Sequence, residues 1–276
     1  MKKFLNYNGN SYEEGQPVLT TADHSYRYGD GLFETMKMIK GNILFEEFHF
    51  ERLFLGSKVL KFSIPALFTK KKISEEIKAL GNKNNCEELA RIRLSVSRGK
   101  GGLYDCDNKF SYLIECWPLE RNSDDMNSNG LIIDVFPDAR KPIDAFSNLK
   151  SSNYLPYVMA AVWAKENKLN DALILNQHNR ICDATIANVF WVKDKKVYTP
   201  SLSEGCVAGI MRNRILNLNP DVSESMLMEE TLLNADEIFL TNVITGIRWV
   251  KQCRDKIYSN KITAQVFAQL NRTISL

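Results

Sequence analysis

The sequence predicts a mixed α/β fold, of α+β type, in two parts. Three observations carry that prediction. Helix-like and strand-like periodicities interleave along the whole chain. Turn signals such as Asn8-Gly9 and Lys40-Gly41-Asn42 favour hairpins, hence antiparallel or mixed sheets. A polar, turn-rich stretch, Glu120 to Gly130, breaks the pattern near the middle. The expected division is residues 1–119, a linker over 120–130, and residues 131–276.

Taken in order, Leu5-Asn6-Tyr7 before Asn8-Gly9 opens a hairpin. Residues 32–39 read as a strand, and Ile43-Leu44-Phe45 as its return. From Glu46 to Leu60 the period is helical, with Phe50, Leu53 and Phe54 on one side. Ile73, Ile77 and Leu80 mark a second amphipathic helix, with Gly81 as a C-cap candidate. Residues 90–97 alternate strictly: Ala90, Ile92, Leu94 and Val96 face one way, Arg91, Arg93, Ser95 and Ser97 the other. Phe110 to Trp117 is a further strand. Beyond the linker come strands at 131–136, 172–176, 188–192, 196–198 and 237–241. Helices are expected at 155–168, 208–218 and near the end, where Ile262, Val266, Phe267 and Leu270 share a face.

Composition narrows the function classes. With 276 residues, 44% apolar and 25% charged, the chain is globular and long enough for a sizeable core. Lys and Arg number 36 against 33 Asp and Glu, a net charge of +3, which does not favour a nucleic-acid binder. No apolar run reaches the ~18 residues of a membrane span. The opening nine residues turn polar too soon for a secretory signal. The six cysteines are scattered without a C-x-x-C pair, which reads as reduced, buried thiols of a cytoplasmic protein. His24, His49 and His178 show no metal-ligand spacing, so no metal is expected.

Several residues could carry chemistry. Lys150 lies in a polar loop just before a helix, where partial desolvation would free its amine as nucleophile or base; alone it reads as a solvated lysine. Asp183 is a carboxylate in an apolar stretch and calls for a cationic or donor partner, such as a protonated heterocycle, or else serves as a cap. Gly209 opens a helix whose first amides could hold an anion. Arg52 could add a fixed charge there. The polar strand face with Arg91 and Arg93 could bind a carboxylate, or simply face solvent.

In order, these pieces resemble the fold-type IV pyridoxal phosphate enzymes. That family includes branched-chain aminotransferases, D-amino acid aminotransferases and 4-amino-4-deoxychorismate lyases. The resemblance runs from about Asn6 to Val250. It rests on Tyr28 to Thr35, His49-Phe50-Glu51-Arg52-Leu53, Lys150-Ser151-Ser152-Asn153-Tyr154-Leu155, Asp183 to Phe190, Gly209-Ile210-Met211-Arg212 and Ala235 to Asn242. It implies a small N-terminal α/β domain and a larger C-terminal domain with a β-barrel-like core, with pyridoxal 5'-phosphate between them, in a homodimer. Lys150 matches the Schiff-base lysine and proton shuttle, and Arg52 the arginine on the cofactor phosphate. Ile210 and Met211 match the amides that cradle that phosphate, and Tyr154 the residue near the phenolic oxygen. Asp183 stands where the family usually has a glutamate against the pyridine nitrogen, one methylene shorter. Val243 stands where relatives offer a hydroxyl; the amides of Val243 and Ile244 could still bind phosphate or a substrate carboxylate.

Within the family, the loop Arg98 to Asp105 has Leu103 and Asp105 where D-amino acid aminotransferases carry an Arg and a His, and Phe33 replaces their tyrosine. The K-x-x-N-Y spacing at Lys150 is closer to the lyases, as are Lys196-Val197-Tyr198-Thr199-Pro200 and Glu229-Glu230-Thr231-Leu232. The resemblance therefore implies a lyase that releases pyruvate from 4-amino-4-deoxychorismate to leave 4-aminobenzoate, a folate precursor. Arg91, Arg93 or Arg98 would meet its dianionic substrate. The alternatives are a class IV amino acid aminotransferase of branched-chain type and a silent binding relative.

Overall fold

The computed structural model describes residues 2–119 and 125–273. They fall into two compact units. One comprises the described residues up to 119 together with Lys150–Tyr154; the other comprises 125–149 and 155–273.

The first unit starts with a hairpin, β1 (Phe4–Tyr7) and β2 (Asn10–Glu13). Its turn residues Asn8 and Gly9 both have positive φ, 52° and 83°, which gives the turn a twist that matches its strands. Then follow α1 (His24–Tyr28), β3 (Gly31–Ile39), β4 (Asn42–Ile43), α2 (Glu46–Val59), α3 (Lys70–Lys83), β5 (Leu89–Ser97) and β6 (Ser111–Pro118). The strands form one antiparallel sheet in the order β2-β1-β6-β5-β3-β4. Met36 and Met38 of β3, Ile92 and Leu94 of β5, and Ile73 and Ile77 of α3 have at most 1% of their surface exposed. Burial of each is worth roughly 1.5–3 kcal/mol, and this is the unit's core.

Three local expectations change here. Gly81 lies inside α3, and Asn84 is the C-cap. A Cβ at Gly81 would sit 2.5 Å from Met38 Cε, so the glycine serves close packing. The return strand after β3 is only two residues long, because Phe45 takes φ 56° and starts α2. The loop expected over 23–30 contains α1, capped by Asp23 and closed by a left-handed Gly29.

The second unit contains β7 (Leu131–Lys141), α4 (Leu155–Glu166), β8 (Asp171–Asn176), β9 (Ile181–Ala184), β10 (Asn188–Lys193), β11 (Lys196–Pro200), α5 (Ile210–Leu218), β12 (Ser223–Ser225), α6 (Glu229–Asn234), β13 (Glu237–Asn242), β14 (Gly246–Cys253), β15 (Lys256–Ile257) and α7 (Lys261–Arg272). Its sheet is mixed, in the order β12-β11-β10-β13-β14-β7-β8-β9, with β15 beside β14. β7 pairs in parallel with both β14 and β8. The end strand β9 also touches β10 and β11, so the sheet curls toward a half-barrel. Ile133, Leu173, Ile181, Val189, Ile238 and Val250 fill its inner face. β7 extends past the expected strand end to Lys141, with a register shift between Val135 and Arg140.

Of the linker expected over 120–130, residues 120–124 lie outside the described residues. The rest is anchored. The Asn127 side chain donates to Trp249 O at 3.0 Å and accepts from Trp249 N at 3.0 Å.

Candidate functional site

In the first unit the strand alternation that buries Met36 and Met38 also buries Glu34 on the same face of β3. Opposite it, His49 and Arg52 lie one turn apart on α2. Arg52 donates from Nε to Glu34 Oε1 at 2.8 Å and from Nη2 to Oε2 at 2.5 Å. His49 Nδ1 lies 2.6 Å from Glu34 Oε2. Burial alone would raise the Glu34 pKa, but the Arg52 charge and the hydrogen bonds from His49 and Arg52 prevail and hold it at about 2. Burial pushes the His49 pKa down, against the hydrogen bond to Glu34. The second ring nitrogen, His49 Nε2, is buried and has no hydrogen-bond partner among the described residues.

The segment carrying Lys150 lies along β3. Phe33 N donates to Lys150 O at 3.0 Å, and Ser152 N to Gly31 O at 2.8 Å. A Cβ at Gly31 would come within 2.9 Å of Ser152 Oγ and 2.8 Å of Val96 O, so only glycine lets this segment approach. The Lys150 amine sits 4.6 Å from the Phe33 ring centre and 5.8 Å from that of Tyr154. Those two rings meet edge to face at 5.6 Å. Arg93 of β5 places its guanidinium 3.9 Å from the Phe33 ring centre and donates to Ser95 Oγ. Burial lowers the Arg93 pKa. Among the described residues no carboxylate comes within ion-pair distance of it; Glu115 is its cross-strand neighbour. Lys150, Tyr154 and Arg93, three residues singled out from sequence, thus converge on Phe33.

In the second unit Asp183 lies on β9 with 2% of its surface exposed. Its oxygens accept from Lys141 Nζ at 3.0 Å, Tyr157 Oη at 2.8 Å, Asn188 Nδ2 at 3.0 Å and the Val207 amide at 3.0 Å. A buried carboxylate needs such partners, and here it has a cation and three neutral donors. Asp183 is therefore a strand residue and neither a helix nor a turn cap. Ile210 and Met211 form the first turn of α5; Gly209 is its N-cap and no side chain caps it. A Cβ on Gly209 would fall 1.8 Å from Asn188 Oδ1. The uncapped amides suit an anion.

The remaining predicted residues fare differently. Val243 is buried in the turn after β13, but the Ile244 amide donates to Asn242 Oδ1 at 2.9 Å in an Asx turn and is not open to a phosphate. Arg98 is committed to two neighbouring segments, the one before β3 and the end of α2. It donates to Asp30 at 2.6 Å and to Leu60 O at 2.8 Å, so it has little capacity left for a substrate. Arg91 is exposed, its guanidinium 5.8 Å from the Trp117 ring centre. No group of three or more His, Cys, Asp or Glu side chains that could hold a metal gathers among the described residues.

Sequence reasoning missed Glu34, His49, Lys141, Tyr157 and Asn188 as partners of the site. A charged residue on the buried face of β3 and the i, i+3 pairing of His49 with Arg52 were the available signals for the first two. Lys141 carried none, because a bulge in β7 and a separate strand bring it to Asp183.

Comparison with known proteins adds the following. A profile of the amino-transferase class IV family matches residues 31–253. The aminodeoxychorismate lyase of Bacillus subtilis (strain 168) is 29% identical over 87% of this chain and 83% of its own. That of Vibrio harveyi is 28% identical over 84% and 86%. The crystal structure of the branched-chain aminotransferase from the thermophilic archaeon Thermoproteus uzoniensis, with norvaline, superposes with a TM-score of 0.86. The match covers 99% of this chain and 95% of that one at 21% identity, a likeness of fold.

Proposed function

The chain belongs to the amino-transferase class IV family of enzymes, and on that premise we propose that it is a pyridoxal 5'-phosphate lyase that releases pyruvate from 4-amino-4-deoxychorismate and leaves 4-aminobenzoate. The observation that carries the reading is the convergence on one aromatic ring, Phe33, of a lysine amine and an arginine with no carboxylate partner among the described residues. An amine-bearing dianionic substrate calls for both.

The residues fit the cofactor chemically. Arg52, Gly209 and the amides of Ile210 and Met211 suit a phosphate, and the donor-rich, buried Asp183 suits a protonated ring nitrogen. When bound, pyridoxal phosphate supplies an aldehyde that condenses with amines and a ring that accepts an electron pair. Lys150 would hold the cofactor through its amine. The free Lys150 amine would take the proton from the amine-bearing carbon and return it to the departing enolpyruvyl group, which leaves as pyruvate while the substrate ring becomes aromatic. Tyr154, beside Lys150 and Phe33, would serve the phenolic oxygen, and the Val243 amide would add a donor for the phosphate or the substrate. Arg93 grips a substrate carboxylate; Arg91 and Arg98 play no part in this. Asp183 must give up one of its protein donors, or share an oxygen, to meet the ring nitrogen. The domain division at 120–130, a homodimeric state and a cytoplasmic location belong to the same reading.

The test is direct. Purified protein loaded with pyridoxal phosphate should form 4-aminobenzoate and pyruvate in equal amounts from 4-amino-4-deoxychorismate, and glutamate should not convert its cofactor to the pyridoxamine form. Full conversion by glutamate with no 4-aminobenzoate would establish an aminotransferase instead.

A further inference from the structure

We propose that Glu34 and His49 are positioning residues for Arg52: the Glu34 carboxylate fixes the plane of the guanidinium, and His49 fixes the carboxylate. The proposal rests on the reading that Arg52 serves the cofactor phosphate. The geometry is specific. Glu34 takes the Nε–Nη2 edge of Arg52 with one bond to each carboxylate oxygen. A two-point contact of this kind leaves the planar fork no freedom to rotate, which sets the direction of its remaining N–H groups. His49 Nδ1 then braces Oε2 from the same helix face. His49 Nε2 has no hydrogen-bond partner among the described residues, so the ring's hydrogen bonding there is directed to Glu34.

A purely structural role accounts poorly for this array. Side-chain exposure is 0% for His49, 2% for Glu34 and 14% for Arg52. Three apolar residues would pack under β3 without the desolvation cost of an ion pair. The exposed part of the array belongs to Arg52, the member that has to meet a ligand. A buried carboxylate braced by a buried imidazole holds that one cation rigid against the flexible stem of an arginine.

Two ligands that differ only in the phosphate separate positioning from general stability. The chain stripped of cofactor is titrated with pyridoxal 5'-phosphate and, separately, with pyridoxal, following quenching of tryptophan fluorescence. Glu34→Gln and His49→Leu should each weaken pyridoxal 5'-phosphate by ~10-fold, the scale of a charged hydrogen bond, and pyridoxal by less than about twofold. His49→Asn, whose amide can donate from near the Nδ1 position, should stay close to the native affinity. Equal weakening of both ligands, no weakening of either, or damage from His49→Asn equal to that from His49→Leu would overturn the proposal. If Glu34→Gln does not fold, the His49 pair decides, since it leaves the Glu34–Arg52 pair in place. Arg52→Ala distinguishes the two levels. If it discriminates between the ligands and the other variants do not, only this inference falls. If it does not discriminate, the assignment of Arg52 to the phosphate falls, and the positioning role with it.

Discussion

Asp183 and Lys141 meet where water barely reaches, with side-chain exposures of 2% and 9%. Removing one member of such a pair strands the other charge. Asp183→Asn should therefore lower stability by roughly 3–5 kcal/mol in urea denaturation. The double change Asp183→Asn with Lys141→Met should lose clearly less, because neither charge remains. An additive loss would show that the two side chains do not interact. Glu34 makes a second residue-scale prediction. Its folded pKa of about 2 lies below the ordinary 4.5, so its contribution is complete above pH 4.5 and is lost as pH falls toward 2. His49, its pKa pushed below 6.5 by burial, favours unfolding in the same direction once pH drops below 6.5. Acid titration of the melting temperature should accordingly show a steep limb below pH 4.5 that Glu34→Gln flattens. An unchanged limb would place the acid sensitivity elsewhere.

Helix α7 is tied to the sheet by one side chain of β13. Glu237 accepts from the Ile262 amide at 2.9 Å and the Thr263 amide at 2.8 Å, and also from the Thr263 hydroxyl. Glu237→Ala leaves these donors buried and unmet, and should cost roughly 3 kcal/mol by thermal melting, against about 1 for Glu237→Gln. Gly209→Ala should disturb the start of α5, since its methyl would overlap Asn188 Oδ1; the expected readout is weaker binding of pyridoxal phosphate. At this scale the sequence was legible where one face repeats. β5 and α3 came out to within a few residues because alternation and the i, i+4, i+7 rule reflect burial directly. The strands β9 and β14 and the short helix α6 did not, because their burial follows from neighbours far along the chain. The same contrast holds for the site. Lys150 and Arg52 are visible in local motifs, whereas Lys141 gains its role only when β7, α4 and β9 come together around Asp183.

Across the whole molecule, all six cysteines are unbridged, and Cys86, Cys116, Cys182, Cys206 and Cys253 are buried. Burial pushes the Cys206 and Cys253 thiols up to about 12 and that of Cys182 well above its usual value. A thiol reagent at pH 8 should therefore modify about one group per native chain, Cys106, and all of the cysteines after denaturation. Fast labelling of several thiols in the native state would contradict the packing described for both units. The short return of residues 150–154 to the first unit carries a further consequence. The backbone leaves the first unit, comes back for this one segment and leaves again, so the two bodies alternate along the chain rather than follow one another in tandem. A gene split between residues 119 and 125 would send Lys150 away with the fragment to which it does not dock. Chimeras joined at that point would therefore inherit Lys150 from one parent and its seat beside β3 from the other, and recombination would have to keep those two strands of sequence complementary.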